Sequence, residues 1–182
     1  MKILKHSAFL FFLLLFVQNV TAQSSMDTNK DIDPFFKNVI DDFSEVEGKL
    51  VSLAEAIPQD KYDWRPMEGV RSVSEVLKHV AGANFSLFQF VGDKKHESMG
   101  EDLGKDVTDK EQIIKKLKDS YAYAKDFISK MNMADLEKDV SFYGTKTNYR
   151  GMLFIIMTHG HEHLGQLIAY ARMNKIVPPW SK

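Results

Sequence analysis

The chain has 182 residues, no cysteine, 24 Lys+Arg against 25 Asp+Glu, and a formal net charge of −1. One domain with a well-buried core fits this length, and a hydrophobic content of 44% excludes a disordered chain. Without a thiol there is no disulfide framework, zinc ribbon or cysteine nucleophile, and the balanced charge lacks the cationic excess of a nucleic-acid binder.

Lys2 and Lys5 precede an unbroken apolar run from Ala8 to Val17, followed by Val20-Thr21-Ala22 before Gln23. A basic start, a short apolar segment and small residues at −3 and −1 predict a signal peptide over 1–22. The run falls well short of the roughly twenty residues that span a bilayer. The expectation is therefore an exported chain, periplasmic or secreted, with no stable membrane association after cleavage. Loss of Lys2 and Lys5 moves the net charge from −1 to −3. Residues 23–32 are polar and predict a disordered lead-in.

Asp33-Pro34 pairs an N-cap residue with proline at the first helical position. Phe36, Val39, Phe43, Val46, Leu50 and Leu53 then recur at helical spacing until Pro58 stops the run. Residues 58–71 read as an ordered loop. Ser72-Val73-Ser74-Glu75 fits a capping box, opening a second helix that runs to Val91 with His79 in its middle. Residues 92–107, glycine-rich and densely charged, predict a solvated loop that contains His96. Thr108-Asp109-Lys110-Glu111 suggests another capping box, starting a third helix that continues to Met131. Residues 132–147 predict an irregular connection, with at most a short extended piece at Val140–Tyr143. A fourth helix is expected from Asn148 to about Asn174, stopped by Val177-Pro178-Pro179. Four amphipathic helices predict an all-α four-helix bundle, with connections too long for a minimal up-down design.

The chemistry concentrates in Thr158-His159-Gly160-His161-Glu162-His163-Leu164-Gly165-Gln166. At about 100° per residue, His163 lies about 40° from His159, whereas His161 lies about 200° away. Met152, Ile155, Ile156, Gln166 and Tyr170 share the face of His159, so that face points inward. Two imidazoles in a core need partners for their nitrogens, and His79, among Val76, Ala83 and Phe90, offers a third from another helix. Three nitrogens suit a transition metal with one open position. The HExxH motif is absent, because the fifth position after His161-Glu162 is Gly165. Glu162 is a candidate proton shuttle or ligand orienter, and Gln166 a candidate hydrogen-bond partner for bound water. Trp64 and Arg65 are candidates for the pocket rim.

Two stretches resemble the DinB/YfiT-like superfamily. One is Tyr62-Asp63-Trp64-Arg65-Pro66…Gly69-Val70-Arg71-Ser72-Val73…His79; the other is His159…Glu162-His163…Gly165-Gln166…Tyr170…Arg172…Pro178-Pro179. The resemblance covers residues 33–180. It implies a four-helix bundle holding a divalent metal, zinc or nickel, on His79, His159 and His163. It also implies a small-molecule substrate, with either metal-dependent hydrolysis or transfer of a low-molecular-weight thiol as the reaction. Family members often carry arginine after the last histidine, where this chain has Leu164. The remaining expectations are no nucleic-acid partner and room for a homodimer. The alternative is a non-catalytic exported binding protein whose metal is structural or absent.

Overall fold

The computed structural model describes residues 32–92 and 107–181. The signal segment, most of the lead-in and the charged loop with His96 lie outside the described residues. The ordered elements are α1 (Pro34–Ala56), α2 (Val73–Ser86), α3 (Lys110–Ser129) and α4 (Tyr149–Met173), with a β1 (Asp139–Phe142) and β2 (Thr145–Asn148) hairpin before α4. Among the described residues no helix is long and apolar enough to cross a membrane.

The four helices close a bundle in which α1 packs on α3 and α4, and α2 packs on the same two. The order around the bundle is therefore α1, α3, α2, α4, and the chain steps across a diagonal from α1 to α2 and again from α3 to α4. A diagonal step needs a longer joint than a step to a neighbour, which accounts for the long connections read from the sequence. This order makes α2 and α4 neighbours, facing His79 toward His159 and His163.

Apolar residues at spacings of three and four supply the core. Phe36, Val46, Leu50 and Leu53 of α1, Leu77 and Val80 of α2, Leu117 and Ile128 of α3, and Met152 and Leu167 of α4 are all buried. Gly160 lies where α4 crosses the others, since a side chain there would meet the Tyr121 hydroxyl at 3.1 Å and Val46 at 3.3 Å.

Helix starts follow their capping residues. The Asp33 carboxylate accepts from Phe35 N at 2.8 Å, and the Ser72–Glu75 capping box forms in both directions. Asn148 caps α4 by accepting from Gly151 N at 3.0 Å. The third helix departs from expectation, because Asp109 is its N-cap and accepts from Gln112 N at 2.9 Å. Gln59 fixes that start: its amide oxygen accepts from Lys110 N, and its amide nitrogen donates to the Thr108 carbonyl oxygen.

Three further boundaries differ from the sequence reading. α2 ends at Ser86, and Leu87–Val91 tighten into a 3₁₀ turn closed by Gly92 at φ 90°. The Tyr149 hydroxyl fills the space a Cβ at Gly92 would need, at 2.8 Å. α3 stops at Ser129 instead of Met131. The region 132–147 is more regular than expected, with a 3₁₀ turn at Met133–Glu137 and the two-stranded hairpin. Phe142 pairs with Thr145 across a two-residue turn, Tyr143-Gly144, with φ of 47° and 86°. Positive φ at both positions matches the twist that joins antiparallel strands tightly.

The Ser72 cap sets where α2 begins, and hence where His79 falls. Ser72→Ala is expected to cost about 1 kcal/mol in chemical denaturation. A change within error would place the start of α2 under the control of packing alone.

Candidate metal centre

His79 stands on α2, and His159 and His163 stand one turn apart on α4. The structure brings all three together: one ligand atom from each falls within 4.8 Å of the others. His79 Nε2 and His159 Nε2 are 3.1 Å apart. The ring centroids are 4.9, 4.8 and 4.5 Å apart for His79–His159, His79–His163 and His159–His163. His163 is buried, and the other two are half-buried.

A chain of hydrogen bonds orients His163 and places a hydrogen on its Nδ1. The Arg71 carbonyl oxygen can only accept, so the Tyr170 hydroxyl donates to it at 3.2 Å. The Tyr170 oxygen then accepts from Gln166 Nε2 at 2.8 Å. That turns Gln166 Oε1 toward His163 Nδ1, also at 2.8 Å, which must therefore carry the hydrogen. Nε2 is the nitrogen left to face the cluster. Outer partners of this kind orient metal-binding imidazoles. Trp64 packs edge-on against Tyr170 with centroids 5.4 Å apart and steadies the far end.

His159 is held neutral. Its pKa is pushed down from 6.5 to about 4, first by burial, then by the neighbouring imidazoles of His163 and His79, with Arg71 adding to the shift and Glu162 opposing it. Neutral imidazoles are the form that binds a metal. The spacing also fits one: two nitrogens bound at about 2.0–2.1 Å to one tetrahedral centre lie about 3.3 Å apart, against 3.1 Å between His79 and His159.

The other candidates fall elsewhere. His161 points away from the cluster, with Nε2 at 3.0 and 3.2 Å from the two carboxylate oxygens of Asp42 on α1. Glu162 is exposed, and its charge acts on His159 from the solvent side. Gln166 has its amide oxygen committed to His163 and its nitrogen to Tyr170, which makes it a positioning residue for His163. Arg65 lines a cleft beside the cluster, while Trp64 packs half-buried on Tyr170 behind it.

Two clefts flank the cluster, one reaching it through Gln166 and the other opening at His79 and His159. One, about 900 Å³, is lined by Arg65, Arg71, Glu75, Lys78 and Gln166 among others. The second, about 310 Å³, is lined by Lys78, His79, Leu87, Phe142, Tyr143 and His159 among others. Sequence reasoning overlooked Lys78 and the roles of Arg71 and Tyr170. Tyr170 lies four residues beyond Gln166 on the same face, so that part of the relay had a signal.

Comparison with known proteins agrees with this picture. Residues 42–167 match the DinB superfamily, well over half of the chain. The chain belongs to the DinB superfamily. It is 26% identical over 123 residues to YjoA, an uncharacterized protein of Bacillus subtilis strain 168, covering 66% of this chain and 78% of YjoA. Among solved structures, a DinB-like protein of Bacillus cereus ATCC 10987 superposes with a TM-score of 0.69 at 15% identity, covering 79% of this chain and 95% of that one. YfiT of Bacillus subtilis, described as a probable metal-dependent hydrolase with an unusual four-helix bundle topology, superposes at 0.63 and 12% identity, covering 81% and 92%. These likenesses establish the DinB fold, and the three-histidine group sits within it.

The depressed His159 predicts a pH dependence for the chelator-treated chain. Between about pH 6.5 and pH 4 the unfolded chain binds a proton that the folded chain refuses. The stability that depends on neutral His159 is thus complete above pH 6.5, falls as the pH drops through that window, and levels off below about 4. Denaturation at about pH 7.5 and about pH 5 should show wild type losing more stability than His159→Gln. Equal losses would mean that His159 titrates normally.

Proposed function

We propose that this DinB-superfamily chain is a divalent-metal-dependent hydrolase that acts on a small molecule at His79, His159 and His163. One observation carries the reading: three imidazoles come together, with His159 held neutral and His163 oriented through Nδ1, where His79 and His159 line one cleft and Gln166, the partner of His163, lines a second. The description of YfiT as a probable metal-dependent hydrolase supports it. A divalent metal, zinc or nickel, supplies Lewis acidity and lowers the pKa of water in the open coordination position.

The chain's own residues do the rest. His79, His159 and His163 hold the ion, and Gln166 and Tyr170 keep His163 Nε2 turned inward. With no cysteine in the chain, any thiol in the reaction comes with the substrate. Glu162 at the rim accepts and releases protons to solvent. The signal-like segment at residues 1–22 supports an exported site of action, periplasmic or secreted, and the balanced charge supports a small molecule over nucleic acid as partner.

Elemental analysis is expected to find one zinc or nickel per wild-type chain and per His161→Ala chain, and none in the His79→Ala/His163→Ala double variant. Full metal content in the double variant would overturn the ligand set. Gln166→Ala should bind the metal about 10–100-fold more weakly, because His163 loses its orienting partner. Chelated wild type should keep its helical circular dichroism, since the core is built without the site, and should lose turnover on a panel of small esters and amides. An unfolded chelated chain, or no turnover in either state, would favour a structural metal.

A further inference from the structure

We infer that the site takes a two-part substrate: an anionic head held by Arg71 and Lys78, and an apolar body lying against Phe142 and Tyr143, with the reacting bond between them at the histidines. The inference rests on the metal centre proposed above and names the class of molecule it would serve.

The two clefts differ in character and meet at one residue. Lys78 lines both. It is 8% exposed, yet its ammonium donates to the Val107 carbonyl oxygen at 3.2 Å and has no carboxylate partner among the described residues. An ammonium that lines both clefts with only a carbonyl oxygen as its partner among the described residues is placed to receive an anion from either. Arg71, at the N-terminal approach to α2, adds a second cation to the larger cleft. It too has no carboxylate partner among the described residues, and its charge is felt at His159. Arg65 does not contribute, because Glu75 neutralises it at 3.2 Å. The larger cleft therefore offers two positive charges that no carboxylate among the described residues matches, beside Gln166, which bonds to His163.

The smaller cleft is apolar and aromatic apart from Lys78, Ser86 and the imidazoles. Its outer wall is the tip of the β1–β2 hairpin. Phe142 and Tyr143 pack at 4.6 Å between ring centroids, and Phe90 backs them at 5.1 and 5.8 Å. Tyr143 is 84% exposed and adopts φ 47°, a conformation that a bulky side chain seldom takes. The hairpin turn sets this φ and leaves the Tyr143 ring beside the mouth that His79 and His159 line. About 310 Å³ matches the lower end of small-molecule pockets.

The test uses zinc-loaded full-length protein and calorimetric titration with three probes: 3-phenylpropionate, its neutral amide 3-phenylpropionamide, and propionate. The carboxylate with the ring should bind at least about tenfold more tightly than either of the others, as a charged hydrogen-bonding group or a buried ring is worth that much. Lys78→Met keeps an unbranched apolar stem without the charge and Arg71→Gln alters an exposed position; each should erase most of the preference for the carboxylate over the amide. Tyr143→Ala should erase the preference for the ring. Equal or undetectable binding of all three probes overturns the inference. So does a charge preference that survives in both cation variants, which would assign the anion to the metal alone. Zinc content measured on the same samples separates the two claims. Full zinc without selectivity rejects the substrate class, whereas selectivity without zinc rejects the metal centre.

Discussion

Three imidazoles in contact on the inner face of a bundle stay together only if something joins their facing nitrogens, a shared hydrogen as between His79 and His159 or a shared ion. Each protonated ring would repel the others and lose hydration, and burial with mutual repulsion drives His159 down to about 4. Each neutral ring must also place its remaining N–H somewhere. For His163 that place is Gln166, and the demand passes through the Tyr170 hydroxyl to the Arg71 carbonyl oxygen. The segment leading into α2 is thereby tied to α4, the same two elements that carry the histidines. A site built this way sits on rigid helices, with its outer partners on the same frame.

The order of helices makes the contact possible. Because α1 to α2 and α3 to α4 both cross a diagonal, α2 and α4 become neighbours and the histidines face one another. The connections that make those crossings are not idle. Residues 57–72 bring Trp64, Arg65 and Arg71 to one side of the cluster, and residues 130–148 bring the hairpin with Phe142 and Tyr143 to the other. A bundle with minimal loops would hold the same imidazoles and offer no walls around them.

Much of this was legible in the sequence, for definable reasons. Helix starts carry their own chemistry, so Asp33, Ser72 and Asn148 marked α1, α2 and α4 before any packing was known. Helical periodicity set His159 and His163 on one face and sent His161 to the other, where it meets Asp42. What escaped was decided by distant partners. Gln59 moves the start of α3 to Asp109, and Tyr149 backs the Gly92 stop that follows α2. The Tyr143-Gly144 turn lacks the asparagine or aspartate that usually announces it. Lys78 reads as an ordinary helix lysine, because nothing local says that its charge is buried.

The most direct test of the central claim is a crystal structure of the zinc-loaded protein with anomalous scattering measured at the zinc edge. The account predicts a single strong peak bound by one nitrogen each from His79, His159 and His163, at about 2.0–2.1 Å, with a non-protein atom in the fourth position. His163 should coordinate through Nε2, with its Nδ1 still on Gln166. A peak at His161 and Asp42, or one bound by fewer than three of the named imidazoles, would contradict it.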